Sequence, residues 1–154
     1  MKMNYESLKQ EISDLLDQNP YFVLATSYQD HVTARIMSCV HKELFFYFQT
    51  DIEMLKYSQI EKNPKVALCI KNIQIEGKAT LMGHPSKDEN EFFCQLFKRQ
   101  HPQSFDFYSH LKNERVIEVA PEKITLWKYI DNKSYRDYLL VDRKEAYREL
   151  YDPK

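Results

Sequence analysis

The chain has 154 residues, of which 43% are hydrophobic, and its 22 Lys and Arg nearly balance its 23 Asp and Glu. This length fits one domain with a single core, and the charge balance excludes the basic footprint of a nucleic-acid-binding protein. Only two glycines occur, which excludes glycine-rich phosphate loops and dinucleotide fingerprints. No apolar run approaches the roughly 18 residues of a membrane span, and no signal-peptide segment is evident. We therefore expect a cytoplasmic protein that binds neither membranes nor nucleic acid.

The first predicted element is an amphipathic helix over residues 4–19. Asn4 is a residue type that caps helices, and apolar residues recur at helical spacing from Leu8 to Leu16. Asn19-Pro20 ends the pattern. We expect this helix to pack on a sheet.

Apolar and polar residues alternate in short segments between Tyr21 and Gly83, which is typical of half-buried strands. One helix over residues 53–62 interrupts them, and the other connections are too short for crossover helices. Tight turns are predicted at Gln29-Asp30 and at residues 41–43. The pattern predicts a mostly antiparallel sheet that closes on itself. The predicted strands are 22–26, 33–40, 44–48, 65–70 and 73–81.

Residues 86–111 form a predicted helical insertion. Ser86 and Glu89 have the spacing of a capping box, and His101-Pro102 separates a first helix from a second one over 104–111. Strands follow at 115–120, 123–129 and 135–141, and the segment from Arg143 to Lys154 is predicted to be a terminal helix. The fold class is mainly β: residues 1–154 form one domain, a barrel of six to eight strands with flanking helices.

A candidate anion site lies where residues 49–51 open the inserted helix. Thr50 and Glu53 have the spacing of a helix cap, and free amides and the helix dipole favour an anion there. Lys56 lies one turn inside, and Arg35 on a neighbouring strand can bind a phosphate with two hydrogen bonds. The alternative is that Thr50 and Glu53 only cap the helix while Arg35 and Lys56 are solvated.

Other reactive residue types give weaker signals. The cysteines are far apart and are interpreted as small core residues: Cys39, Cys69 and Cys94. The histidines lack metal-ligand spacing, so we expect no metal site and predict solvated or capping roles. Only a haem-binding protein would need one of them as an axial ligand. The aromatic run Phe45 to Phe48 is interpreted as core and dimer interface rather than as a platform for bases.

Five short motifs follow one another without a large gap: Val23-Leu-Ala-Thr26, Ala34-Arg-Ile36, Phe46-Tyr-Phe-Gln-Thr50, Asn63-Pro-Lys-Val-Ala-Leu68 and Glu76-Gly-Lys-Ala79. Their order and spacing resemble the pyridoxamine 5'-phosphate oxidase-like family of split barrels that bind flavin mononucleotide (FMN). The resemblance implies a homodimer with FMN in clefts between the subunits. It also implies that the flavin carries the redox chemistry, so that no residue acts as a catalytic acid or base.

The resemblance also implies which residues bind the cofactor. Trp127 has an alternative role as a core aromatic residue, and the alignment of a second contact at Arg136 is loose. The implied residues are Arg35, Gln49, Thr50 and Lys56 at the phosphate and ribityl end, Ile36 and Met37 at the flavin ring through their backbone, and Asn72 and Trp127 near the flavin.

Departures from the oxidase bear on the substrate. Val40 stands where the oxidase has a substrate-binding lysine, and residues 132–137 lack its C-terminal substrate signature. Met54 and Leu55 replace a serine and an arginine of its phosphate cradle. The predicted function is an FMN-dependent oxidoreductase, not a pyridoxamine 5'-phosphate oxidase, that acts on an unidentified small molecule. The alternative is a non-enzymatic flavin or haem carrier or sensor on the same barrel.

Overall fold

One antiparallel sheet of ten strands is the framework of the protein in the computed structural model, which describes residues 1–154. The helices are α1 (Tyr5–Asp17), α2 (Leu55–Lys62), α3 (Glu91–Gln100) and α4 (Pro102–Tyr108). The strands are β1 (Lys2–Met3), β2 (Tyr21–Tyr28), β3 (His31–Ser38), β4 (Val40–Lys42), β5 (Phe45–Asp51), β6 (Lys65–Ile70), β7 (Ile73–Gly83), β8 (Glu114–Ile130), β9 (Lys133–Leu140) and β10 (Glu145–Tyr151).

The long strand β8 organises the sheet. The strands lie in the order β1-β10-β9-β8-β7-β6-β2-β3, with β5 on β8 and β4 on β5. β8 pairs with β5 up to Val119 and with β9 from Lys123 onwards, while β7 lies along its other edge. The sheet therefore splits where β8 stops pairing with β5 and begins to pair with β9. Gly77 lies opposite this point, and a Cβ there would come within 2.7 Å of the Ala120 carbonyl oxygen.

The core consists of residues from the sheet together with residues from α1 and α2. The predicted N-terminal helix is confirmed: the Asn4 side chain accepts a hydrogen bond from the Ser7 amide at 2.9 Å, and Leu8, Ile12 and Leu16 are buried. They belong to a cluster of 21 buried residues. A smaller cluster between α3 and the sheet consists of Val40, Tyr47, Phe93, Phe97 and Val116.

The turns between neighbouring strands agree in part with the turns predicted from the sequence. Gln29 and Asp30 have φ angles of 48° and 65°, as a two-residue hairpin requires, so that predicted turn is confirmed. The turn after β4 lies at Glu43-Leu44, slightly later than predicted. None of the helices is long and apolar enough to span a membrane.

Several local predictions are wrong. The segment from Arg143 to Lys154 contains β10 instead of a helix, because it covers the edge of β9 and buries Ala146. Ser86 does not cap a helix: its hydroxyl lies 2.8 Å from the ring of His84, and α3 begins after a 3-10 turn over Asp88–Asn90. The structure has ten strands instead of six to eight: β1, β4 and β10 were not predicted, while the separate strands predicted at 115–120 and 123–129 are one continuous strand, β8.

Candidate functional site

Arg35 lies in the middle of β3, and its side chain is held against β2. The guanidinium donates to the Leu24 carbonyl oxygen at 3.2 Å, to Thr26 Oγ1 at 2.9 Å and also to Thr33 Oγ1. These contacts use only part of its N–H groups, so donors remain for a ligand. Burial lowers the pKa of Arg35, but a guanidinium stays charged at any physiological pH. Arg35 is therefore a positioned cation with free donors.

The helix α2 brings a second cation to Arg35. The buried Gln59 ties α2 to the sheet: its Oε1 accepts from Thr33 at 2.9 Å and its Nε2 donates to the His31 carbonyl oxygen at 2.9 Å. Lys56 lies one turn earlier on the same helix face. Its Nζ donates to Thr50 Oγ1 at 3.2 Å. The packing of α2 thus directs this ammonium group toward the end of β5.

The inserted helix does not begin at Thr50. Thr50 belongs to β5, and α2 begins at Leu55 without a side-chain cap. The Glu53 amide donates to Asp51 Oδ1 at 2.7 Å. The predicted cap of Thr50 and Glu53 is therefore wrong, and the candidate anion site consists of side chains rather than helix amides.

Neither cation of this site is neutralised within the chain. Arg35 and Lys56 are both half-buried, and neither forms an ion pair. Burial and the nearby Arg35 charge lower the pKa of Lys56, against an opposing effect of Glu114. Two like charges held close together and partly out of water favour an anion between them. The arrangement is suited to a phosphate.

A pocket of about 140 Å³ is lined by Ile36 and Met37, which follow Arg35 on β3, and by Gln49 and Tyr108. The Gln49 side chain is buried, and its Oε1 accepts a hydrogen bond from Ser109 at 2.7 Å. Ile36 is 71% exposed on β3, a strand that pairs only with β2. The chain therefore gathers most of the predicted cofactor-binding residues in one region: Arg35, Ile36, Met37, Gln49, Thr50 and Lys56.

Asn72 and Trp127 form a separate group. The Asn72 side-chain amide donates to the Trp127 carbonyl oxygen at 2.6 Å, and the two residues line a different pocket of about 440 Å³. Trp127 is 38% exposed, so its interpretation as a core residue is wrong. The guanidinium of Arg136 lies 5.3 Å from the Trp127 ring and 5.5 Å from that of Tyr151. The Nε of Arg136 is buried without a hydrogen-bond partner.

Sequence reasoning did not select Glu114, which lines the pocket beside Gln49. Glu114 lies opposite Asp51 in the pairing of β5 with β8, and only 6% of it is exposed. Burial and the charge of Asp51 raise its pKa to about 7, while Lys56 acts in the opposite direction. The sequence alone does not indicate that a glutamate at the start of a strand is buried or has a raised pKa, because both depend on the strand pairing.

The histidines leave few ring nitrogens for a haem iron. Both ring nitrogens of His41 and of His84 are within hydrogen-bond distance of other groups. His101 is buried, not solvated, and its Nε2 lies 3.0 Å from the Cys39 carbonyl oxygen. Only the exposed His31 and His110 have no ring hydrogen bond.

The cysteines are only partly as predicted. Cys39 is buried in the core, Cys94 is half-buried and Cys69 is exposed, so the core assignment is wrong for Cys69. All of them are free thiols.

An antiparallel sheet that splits along one long strand, with helices on its flanks, defines a split barrel. The chain belongs to the pyridoxamine 5'-phosphate oxidase family, whose sequence model matches residues 8–128. It is 26% identical over 133 residues to general stress protein 26 of Bacillus subtilis (strain 168). The matched region covers 80% of this chain and 91% of that protein.

Two solved structures illustrate how varied proteins with this fold are. A pyridoxamine 5'-phosphate oxidase-related, FMN-binding protein from Nostoc punctiforme is similar with a TM-score of 0.63 and 15% identity, over 94% of this chain and 96% of that one. The heme storage protein HutZ from Vibrio cholerae is similar with a TM-score of 0.63 and 16% identity, over 77% of this chain and 94% of that one. At these identities the comparison shows the fold alone.

Proposed function

We propose that the protein is a homodimeric, FMN-binding oxidoreductase that acts on an unidentified small molecule. The observation that carries the proposal is the pair of cations at Arg35 and Lys56, which are half-buried and form no ion pair. A phosphate group would bind both of them and accept a hydrogen bond from the Thr50 hydroxyl. The FMN-binding relative from Nostoc punctiforme supports flavin as the ligand that brings the phosphate.

The edge of β3 is suited to the flavin ring. Ile36 and Met37 follow Arg35 directly, and the free edge of β3 leaves backbone groups available beside the pocket. Bound FMN would supply the redox chemistry, taking up and releasing a hydride or electrons. The chain's own contribution is to bind the phosphate, orient the ring and limit the access of water.

A second subunit would complete the site. Asn72 and Trp127 are separated from Arg35 within one chain but carry the features of a ligand contact: an exposed indole and, beside it, the unpaired Nε of Arg136. The outer face of β2 and β3, formed by Val23, Val32 and Ile36, is apolar and exposed. Burying that face against another copy would stabilise a dimer.

The aromatic run Phe45 to Phe48 supplies little of the predicted dimer interface. Tyr47 is buried inside the chain, and Phe46 and Phe48 have no exposed surface. Phe45 is 41% exposed, whereas Ile70 and Phe92 are half-buried. The outer face of β2 and β3 is the better candidate.

The substrate is not expected to be pyridoxamine 5'-phosphate. Val40, at the place of the oxidase's substrate-binding lysine, is 1% exposed and packs with Phe93 and Phe97. Val40 itself supplies no cation to meet a second phosphate, whose charge would then be desolvated without that partner.

The absorption spectrum of the purified protein, followed by anaerobic addition of NADH or NADPH, tests the proposal. Flavin bands and repeated reduction in the presence of an electron acceptor support an FMN-dependent oxidoreductase. Flavin bands without turnover favour a flavin carrier or sensor. A Soret band would instead indicate haem, with His31 or His110 as the candidate ligands.

A further inference from the structure

The pocket of about 140 Å³ at Met37 is formed by β3 together with the helical insertion. Helix α3 contributes Phe97 to its lining, and α4 contributes Tyr108. Neither Arg35 nor Lys56 lines it, so a phosphate bound by those cations does not account for this pocket. A cavity of about 150 Å³ can hold one benzene molecule. The pocket therefore has room for a small ligand of its own.

The lining of this pocket carries a negative charge and no positive one. None of the eight lining residues is Lys, Arg or His, and the only charged one is Glu114. Glu114 is 6% exposed, and its carboxylate forms no ion pair. The neighbouring Arg115 donates to the Glu114 backbone carbonyl oxygen, at 2.7 Å, and not to the carboxylate. Because a charge held out of water is stabilised by an opposite charge, the pocket favours a cation over an anion.

The other lining residues suit an organic cation with an apolar body. The side chains that can contact hydrocarbon are those of Ile36, Met37 and Phe97. The hydroxyl groups of Ser38 and Ser104 can accept hydrogen bonds from N–H groups of the ligand. Small-molecule sites commonly combine an apolar wall with a few polar groups that fix the orientation of the ligand.

The charge of Glu114 depends on pH. Burial and the charge of Asp51, which lies opposite on β5, raise its pKa to about 7, and Lys56 of α2 has the opposite effect. Tyr108 of α4 lines the same pocket. The carboxylate is therefore ionised at pH 8 and mostly protonated at pH 6. A cation binds the ionised form, so its affinity should fall as the pH falls through this range.

We propose that this pocket binds a small organic cation, such as a protonated amine or an amidinium, through a charge-assisted hydrogen bond to Glu114. A hydrogen bond of this kind is about twice as strong as one between neutral groups. The cation is the group by which the flavin enzyme recognises its substrate, and this role rests on the proposed function. The binding of the cation does not rest on it, since the proposed phosphate ligands lie outside the lining.

Three probes of nearly the same shape separate charge from fit: the cation benzamidine, the neutral benzamide and the anion benzoate. Their dissociation constants at pH 8 are measured by NMR titration, and the resonances of Met37 and Tyr108 report whether the probe occupies the pocket. We expect benzamidine to bind wild type about 10- to 100-fold more tightly than benzamide or benzoate. At pH 6 its affinity should be about tenfold lower than at pH 8.

Two variants test the role of the carboxylate. Glu114→Gln removes the charge and keeps the size of the side chain, and Glu53→Gln, at an exposed position before α2, is the matched control. Glu114→Gln should bind benzamidine about as weakly as benzamide at both pH values, and the control should behave like wild type. The comparison of the three probes in wild type does not depend on the folding of either variant. Equal affinities for benzamidine and benzamide in wild type would overturn the inference and leave the phosphate site untouched.

Adding FMN separates this inference from the proposed function. In the flavin-loaded protein, benzamidine should change the flavin absorption spectrum of wild type and not that of Glu114→Gln. An unchanged spectrum in wild type with benzamidine bound would show that the pocket is not the substrate site. Binding of benzamidine that depends on Glu114, in a protein that does not bind FMN, would support the cation site and reject the proposed function.

Discussion

Replacing Lys56 by methionine tests the phosphate site with the least disturbance to the fold. Methionine keeps an unbranched apolar stem and removes the charge, and only the hydrogen bond to Thr50 is lost inside the chain. Arg35 is a less clean target, because its removal leaves the Leu24 carbonyl oxygen and the Thr26 hydroxyl without their donor.

The expected magnitude follows from the environment of Lys56. A hydrogen bond to a charged group contributes about 1.5–3 kcal/mol, and Lys56 is half-buried and forms no ion pair. Lys56→Met should therefore weaken FMN binding about 10- to 100-fold. Arg35→Ala should have an effect of similar size on FMN. Riboflavin, which lacks the phosphate, should bind either variant about as well as it binds wild type.

The assay follows the flavin fluorescence of both ligands on titration with protein. Lys62→Met is the matched control, since Lys62 is exposed on the same helix and lies over the ring of Tyr28. It should leave both affinities nearly unchanged. Equal losses for FMN and riboflavin in Lys56→Met would refute the assignment, because a residue that contacts only the phosphate cannot affect a ligand without one.

Three further predictions concern substrate, assembly and stability. Oxidation of pyridoxamine 5'-phosphate should be far slower than about 1 per second in an oxygen-consumption assay, and a faster rate would show that the interpretation of Val40 is wrong. Light scattering at micromolar concentration should find a dimer for wild type and a monomer for Val32→Glu on the exposed face of β3; a monomeric wild type contradicts the assembly. In the absence of flavin, Lys56→Met should be at least as stable as wild type in urea denaturation, because burial and the Arg35 charge disfavour the charge of Lys56 in the folded chain. A decrease of more than about 1 kcal/mol in the free energy of unfolding would show that Lys56 stabilises the fold.

Much of the barrel could be predicted from the sequence because its strands alternate. Phe22 and Leu24 point into the core with Val23 between them on the outside, and this period of two identifies β2 and its register. The turn at Gln29-Asp30 followed from its position between two such runs. These signals are local and need no knowledge of distant residues.

The wrong predictions share a physical cause. The segment that forms β10 is rich in charged residues and has no clear alternation, so its strand state depends on β9, which it pairs with throughout. The cap predicted for Thr50 failed because β5 continues to Asp51 along β8. In both cases pairing across the sheet overrode the local sequence preference.

The candidate site was predictable by residue type but not by geometry. Arg35 and Lys56 could be selected as cations near the predicted start of the inserted helix. The packing of Gln59 on Thr33, which places Lys56 near Arg35, could not be predicted from the sequence. Glu114 depends entirely on strand register, since only the pairing of β5 and β8 brings it opposite Asp51.

The rest of the chain indicates why unpaired charges at this site point to a ligand. Asp137 has no exposed surface, yet its carboxylate accepts two hydrogen bonds from Arg148, at 2.7 and 2.8 Å, and pairs with Lys128 at 3.1 Å. Burial favours the protonated form of Asp137, but these contacts outweigh it and leave its pKa lowered. Protein groups thus neutralise the buried charge of Asp137. Arg35 and Lys56 have received no such partner, and uncompensated charge costs stability in the empty protein. A phosphate would remove that cost on binding, so the same feature that weakens the free protein contributes to the affinity of the ligand.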